Sequence, residues 1–106
     1  TSHDAFGYLT NAFGFQQLGI TGLSPESEPS PARLAQISKL VTAQGITTIY
    51  YETLVSPAIA ETVAAETGAT TAVLDPIEGL AAGSTDTFIP VMQANLETLI
   101  KGQSCS

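Results

Sequence analysis

The order of hydrophobic patterns along this chain predicts an α/β fold, a three-layer helix-sheet-helix arrangement around a short parallel sheet of about four strands. Three observations carry that expectation. Apolar stripes at helical spacing alternate with short runs rich in β-branched and aromatic residues. Glycines stand where each helix should stop and the chain turn into a strand, at Gly14, Gly45 and Gly68. Two Ser-Pro pairs, Ser30-Pro31 and Ser56-Pro57, have the composition of an N-cap followed by the first helical position. At 106 residues, with 43% apolar content and a mean hydropathy of +0.22, the chain is one domain with a single core.

The elements follow in order. Phe6, Leu9 and Phe13 share one face of a first helix over residues 4–13, ended by Gly14. Residues 15–20 read as a short strand, and the two prolines of residues 21–29 mark a surface loop. The second helix starts at Ser30-Pro31 and buries Leu34, Ile37 and Val41. Residues 46–51 form the clearest strand. The third helix, opened by Ser56-Pro57, carries Ile59 and Val63 with Ala60, Ala64 and Ala65, small enough for close packing on a sheet. Residues 70–74 form the next strand. A glycine-bearing loop leads to Asp86, the expected cap of a last helix carrying Phe88, Val91, Met92, Leu96 and Leu99, with Pro90 harmless in its first turn. Residues 103–106 read as a flexible tail.

Strands alternating with helices imply parallel pairing and right-handed crossovers. Three strands lie inside the chain. A fourth should end at His3, with only Thr1 and Ser2 remaining of it, so the first strand is truncated and the chain reads as a fragment. An incomplete strand also leaves an edge that invites dimerisation.

Charge excludes several classes of partner. The net charge is −7, and Arg33, Lys39 and Lys101 are the only strong cations, so neither nucleic acid nor an anionic membrane surface is expected. No apolar run approaches the roughly 20 residues that span a bilayer, and the first residues lack the composition of a signal peptide. That leaves a cytosolic protein, a processed secreted one or an excised domain. Cys105 is the only cysteine, so no disulfide can form within the chain.

His3, the only histidine, Glu52 and Asp75 each follow a predicted strand. Open α/β sheets bind ligands at the carboxyl ends of their strands. Taken singly, each residue has an ordinary explanation: a histidine at a helix start, a loop carboxylate facing a helix dipole, a turn aspartate before Pro76. Together they suggest a metal. Imidazole nitrogen and carboxylate oxygen are both good ligands, and Glu52 could bind the ion, steady a ligand, or pair with a backbone N–H or Arg33. Two ligands do not complete a tetrahedral site, so solvent or another domain must supply the rest.

Other chemistries fit less well. The dinucleotide, P-loop and nucleophile-elbow motifs are absent. The loop between Gly79 and Gly83 could cradle a phosphate, but Asp86 would repel it. No lysine is placed to support a phosphoacceptor role for Asp75, and Cys105 lacks an electropositive setting. A stand-alone flavodoxin-like domain, acting as an enzyme or a phosphate-responsive module, is the alternative. A domain used only as an interaction surface is a third.

Four blocks carry a resemblance. They are His3-Asp4-Ala5-Phe6-Gly7-Tyr8, the run from Gly19 to Ser30, Tyr50-Tyr51-Glu52 with Ser56-Pro57 and Glu61-Thr62-Val63-Ala64, and Leu74-Asp75-Pro76-Ile77-Glu78-Gly79-Leu80. In this order they resemble the C-terminal lobe of the zinc- and manganese-specific solute-binding proteins of ABC importers, the ZnuA/TroA-like group, some of them surface lipoproteins of the cell-adhesion type. The resemblance implies a periplasmic-binding-protein-like lobe and a cleft shared with an N-terminal lobe that is not in this chain. It implies four metal ligands, two from each lobe, with this lobe's pair falling on His3 and Asp75. Glu52 matches a glutamate that orients the ligands rather than binding the ion. Members with a carboxylate at the His3 position favour manganese, so a histidine there leans towards zinc, with manganese as the alternative. The implied role is to bind zinc at the outer face of a bacterial membrane and deliver it to an ABC permease, without catalysis.

Overall fold

The computed structural model describes residues 1–23 and 28–105. Ser24, Pro25, Glu26 and Ser27, part of the expected surface loop and of the second sequence block, lie outside the described residues, as does Ser106 of the tail. Six elements are present among the described residues: α1 (Gly7–Phe13), α2 (Pro31–Ala43), β1 (Thr48–Glu52), α3 (Ala58–Thr67), β2 (Thr70–Leu74) and α4 (Phe88–Gly102). None of these helices is long and apolar enough to cross a membrane.

The sheet corrects the expectation of about four strands. It has two, β1 and β2, parallel and in register from Thr48 opposite Thr70 to Glu52 opposite Leu74. Ser2 N donates to Tyr50 O at 2.8 Å, the carbonyls of Thr1 and Ser2 accept from Ile20 and Thr21, and the chain then bends away. Residues 15–20 form no strand: Thr1 N donates to Leu18 O and Thr1 O accepts from Ile20 N, but the pattern does not extend into a ladder, and Ile20 is buried while Phe15 is exposed. β-favouring composition describes fit to a pleated, half-buried surface and does not by itself make a ladder.

Helices nonetheless lie on both faces of the strand pair. On one face Ile49 joins Ile20, Ile37, Val41, Ala60, Val63 and Ala64, the buried stripes of α2 and α3. On the other, Tyr50 and Leu74 meet Phe6, with Leu9 and Leu99 packed against them. The period-2 alternation of β1 produces this division. Ala65, Phe13, Phe88 and Leu96, expected at buried faces, are exposed.

Helix starts show where local chemistry decides and where tertiary contacts override it. Ser30 Oγ accepts from Arg33 N at 3.1 Å, the expected N-cap of α2. The Ser56-Pro57 start is displaced by one residue: Pro57 is the cap of α3, while Ser56 Oγ accepts from Ala58 N at 3.3 Å. Asp86 does not cap α4; Thr87 precedes the helix, and the Asp86 carboxylate instead accepts from the Ser84 hydroxyl. The first helix begins at Gly7 rather than residue 4. Asp4 N donates to Gly22 O and Phe6 N to Gln17 Oε1, so the segment just before the helix is tied to tertiary partners.

Candidate metal site

His3 owes its place to the extended backbone beside β1. Ser2 N is tied to Tyr50 O, and the Thr1 hydroxyl donates to His3 O at 2.8 Å. The imidazole is only 5% exposed. Glu52, the last residue of β1, is 1% exposed and lies two residues beyond Tyr50 on the same face of the strand.

The two residues meet directly. Glu52 Oε1 accepts from the His3 backbone N–H at 3.3 Å, and Glu52 Oε2 stands 3.0 Å from His3 Nδ1. The second contact has the length of an ion pair but not the direction of a hydrogen bond, so both atoms are without one among the described residues. A buried carboxylate with so little compensation is costly by itself. A nearby cation would lower that cost, and a metal ligand's imidazole characteristically turns one nitrogen to a carboxylate. With Nδ1 beside the Glu52 carboxylate, Nε2 is the other imidazole nitrogen available to an ion. The donor set therefore fits a metal.

Asp75 directly follows β2, and the register of the strand pair carries it one position past Glu52 along the same carboxyl edge. It is half-buried. Its Oδ1 accepts from Ile77 N at 2.7 Å, leaving Oδ2 without a hydrogen bond to the described residues. A left-handed backbone follows soon after each strand, at Leu54 with φ +67°, two residues past Glu52, and at Ile77 with φ +61°, two residues past Asp75 and three past the end of β2. Non-glycine residues hold this conformation at a cost of about 1–2 kcal/mol, and such positions gather at ligand sites.

The structure thus joins His3 to Glu52 and places Asp75 on the same edge. It does not gather three ligating side chains, since no cluster of three His, Cys, Asp or Glu residues able to hold a metal occurs among the described residues. Arg33 is not Glu52's partner; it donates to the carbonyls of Gly19 and Ile20. Cys105 is exposed.

One residue of this region escaped the sequence reading. Asn95 on α4 is 5% exposed and grips the backbone of Asp75. Its signal was a carboxamide four residues after Val91 and four before Leu99, on the stripe assigned to the core.

The comparisons with known proteins bear on the family and the fold. Residues 1–102 match the family model described as ZnuA, zinc-uptake complex component A periplasmic. The chain is 41% identical over 102 residues to the high-affinity zinc uptake system protein ZnuA of Bacillus subtilis, covering 93% of this chain and 32% of that protein. It is 44% identical over 104 residues to the zinc-binding protein AdcA of Streptococcus pyogenes, covering 93% of this chain and 20% of that protein. Among solved structures, the laminin-binding protein Lbp of Streptococcus pyogenes superposes with a TM-score of 0.83 at 42% identity, over 95% of this chain and 39% of that one. The Zn(II)-bound ZnuA-like domain of Streptococcus pneumoniae AdcA does so with a TM-score of 0.74 at 40% identity, over 95% and 39%. The chain spans about a third of the Bacillus protein and a fifth of AdcA. A family match over nearly its whole length, relatives above 40% identity and a shared fold mean that this chain belongs to the ZnuA family of zinc-uptake components.

Proposed function

We propose that this chain is the metal-binding lobe of a two-lobed solute-binding protein whose cargo is zinc. His3 Nε2 and Asp75 Oδ2 are its two ligands, and Glu52 orients His3 and offsets the charge of the ion. The observation that carries the reading is the buried His3–Glu52 pair, which turns Nδ1 inward and leaves Nε2 for the metal. The remaining ligands come from a second lobe. Nothing is catalysed: the protein holds the ion at the outer face of the bacterial membrane, in the periplasm or on the cell surface, and passes it to an ABC permease.

Zinc is favoured over manganese because an imidazole suits zinc better than it suits the harder ion. Both ligands bind only when free of protons, so affinity falls as the pH drops. A lobe with two ligands binds zinc weakly when isolated. Among the described residues β2 pairs only with β1, which leaves an edge where two such lobes can pair.

The test is a zinc titration of the two-lobed protein against a competing chelator. His3→Ala and Asp75→Ala should each weaken binding by about 100-fold or more while the fold is retained. Affinity unchanged in either variant would remove that residue from the site.

A further inference from the structure

We propose that Asn95 is a positioning residue for the metal: it fixes the peptide of Asp75 so that Oδ2 alone is presented to the ion. The inference rests on the reading of Asp75 as a ligand. Asp75 N donates to Asn95 Oδ1 at 2.8 Å, and Asn95 Nδ2 donates to Asp75 O at 2.8 Å. One carboxamide therefore satisfies the donor and the acceptor of a single residue, much as a neighbouring strand would, at the point where β2 ends and its ladder stops.

The side chain is conspicuous chemically. α4 presents Val91 and Leu99 to the core, and the carboxamide between them is almost completely buried. A polar group in that position costs free energy unless it is fully bonded. An apolar residue would suit the stripe but would leave the N–H and C=O of Asp75 without partners. What the carboxamide adds is direction.

That direction reaches the carboxylate. The Asp75 peptide is held on both sides by Asn95, and Oδ1 is held by the N–H of Ile77, whose left-handed backbone closes the turn. Of the polar atoms of Asp75, Oδ2 is the one left for a ligand. A metal–oxygen bond near 2 Å tolerates displacements of only about 0.5 Å, so an anchor on the peptide governs the fit of the ion. Asp75 accordingly binds through one oxygen.

The test uses the two-lobed protein with Asn95→Ala, Asn95→Gln, Asp75→Ala and the double variant Asp75→Ala/Asn95→Ala. Zinc affinity is measured by chelator competition, and the visible spectrum is recorded at saturating Co²⁺, which reports ligand geometry and is insensitive to fold stability. Asn95→Ala should weaken zinc by about 10–100-fold and alter the cobalt bands. In the Asp75→Ala background the same change should cost less than about threefold. If Asn95→Ala does not fold, Asn95→Gln carries the test, because it keeps the amide but displaces it by one methylene. Loss of affinity in Asp75→Ala, with wild-type affinity and cobalt bands in the folded Asn95 variants, would overturn the positioning role and leave Asn95 as a tie between α4 and β2. Full affinity in Asp75→Ala would instead show that the ligand assignment itself is wrong.

Discussion

Glu52 meets His3 at two points, its Oε1 accepting from the His3 backbone N–H at 3.3 Å and its Oε2 lying 3.0 Å from Nδ1. One carboxylate thus bonds the main chain of His3 and lies against its ring, although the two residues stand 49 positions apart in sequence. Glu52→Gln keeps the shape and removes the charge. It should weaken zinc binding by about 10–100-fold with little change of fold. Glu52→Ala should also lower stability by about 1–3 kcal/mol, because the buried His3 backbone N–H loses its hydrogen bond. Chelator competition and urea unfolding measure the two effects. Wild-type zinc affinity in Glu52→Gln would confine this carboxylate to a role in folding.

Gly102 at the end of α4 is a steric requirement. A Cβ there would strike the Tyr50 hydroxyl oxygen, and would lie 2.9 Å from Tyr50 Cζ and 3.2 Å from Thr48 Cγ2. Alanine ordinarily favours a helix over glycine by about 1 kcal/mol. Here Gly102→Ala should instead destabilise, by about 1–3 kcal/mol, and Tyr50→Phe in the same chain should recover part of the loss. Urea denaturation of the two variants decides it; a stabilised Gly102→Ala would mean the end of α4 moves aside freely.

Tyr50 links that packing to alkaline pH. Burial raises the pKa of its phenol above the ordinary value; the hydrogen bond from Gln103 lowers it and the charge of Cys105 raises it, both to a smaller degree. The folded state therefore keeps its proton when the unfolded state has begun to lose it. Stability from this group is complete below about pH 10 and declines as the pH rises from there towards the higher folded-state value. Melting temperatures between about pH 9 and 11 should fall more steeply for the wild type than for Tyr50→Phe. Parallel slopes would contradict it.

Ser30 provides a prediction remote from the metal. Its hydroxyl caps α2 by accepting from Arg33 N at an exposed site. Ser30→Ala should cost about 1 kcal/mol and leave zinc affinity unaltered. Unfolding and binding measured on one preparation test both halves, and an equal loss of binding would show that α2 is coupled to the strand ends.

Much of this molecule was legible residue by residue. The Ser30 cap and the left-handed glycines Gly14 and Gly68 follow from local backbone chemistry, which needs no partner, and the span of β2 from a β-favouring run bounded by Gly68 and Asp75. His3, Glu52 and Asp75 stood out because a chemically distinctive side chain is visible in one dimension, and the structure sets Glu52 and Asp75 at strand ends and His3 beside β1.

Only the tertiary structure decided the rest. Residues 15–20 have strand composition but no ladder, because pairing depends on what lies alongside and not on composition. The start of α1 lies at Gly7, and the segment before it is bonded to Gly22 and Gln17. Asn95 was hidden in a helical stripe, since its meaning lies in two bonds to a residue 20 positions away. The sequence by itself determined which groups could hold a metal. Folding determined that His3 turns Nδ1 to Glu52 and that Asp75 is gripped by Asn95, because direction is a property of contacts distant in the chain.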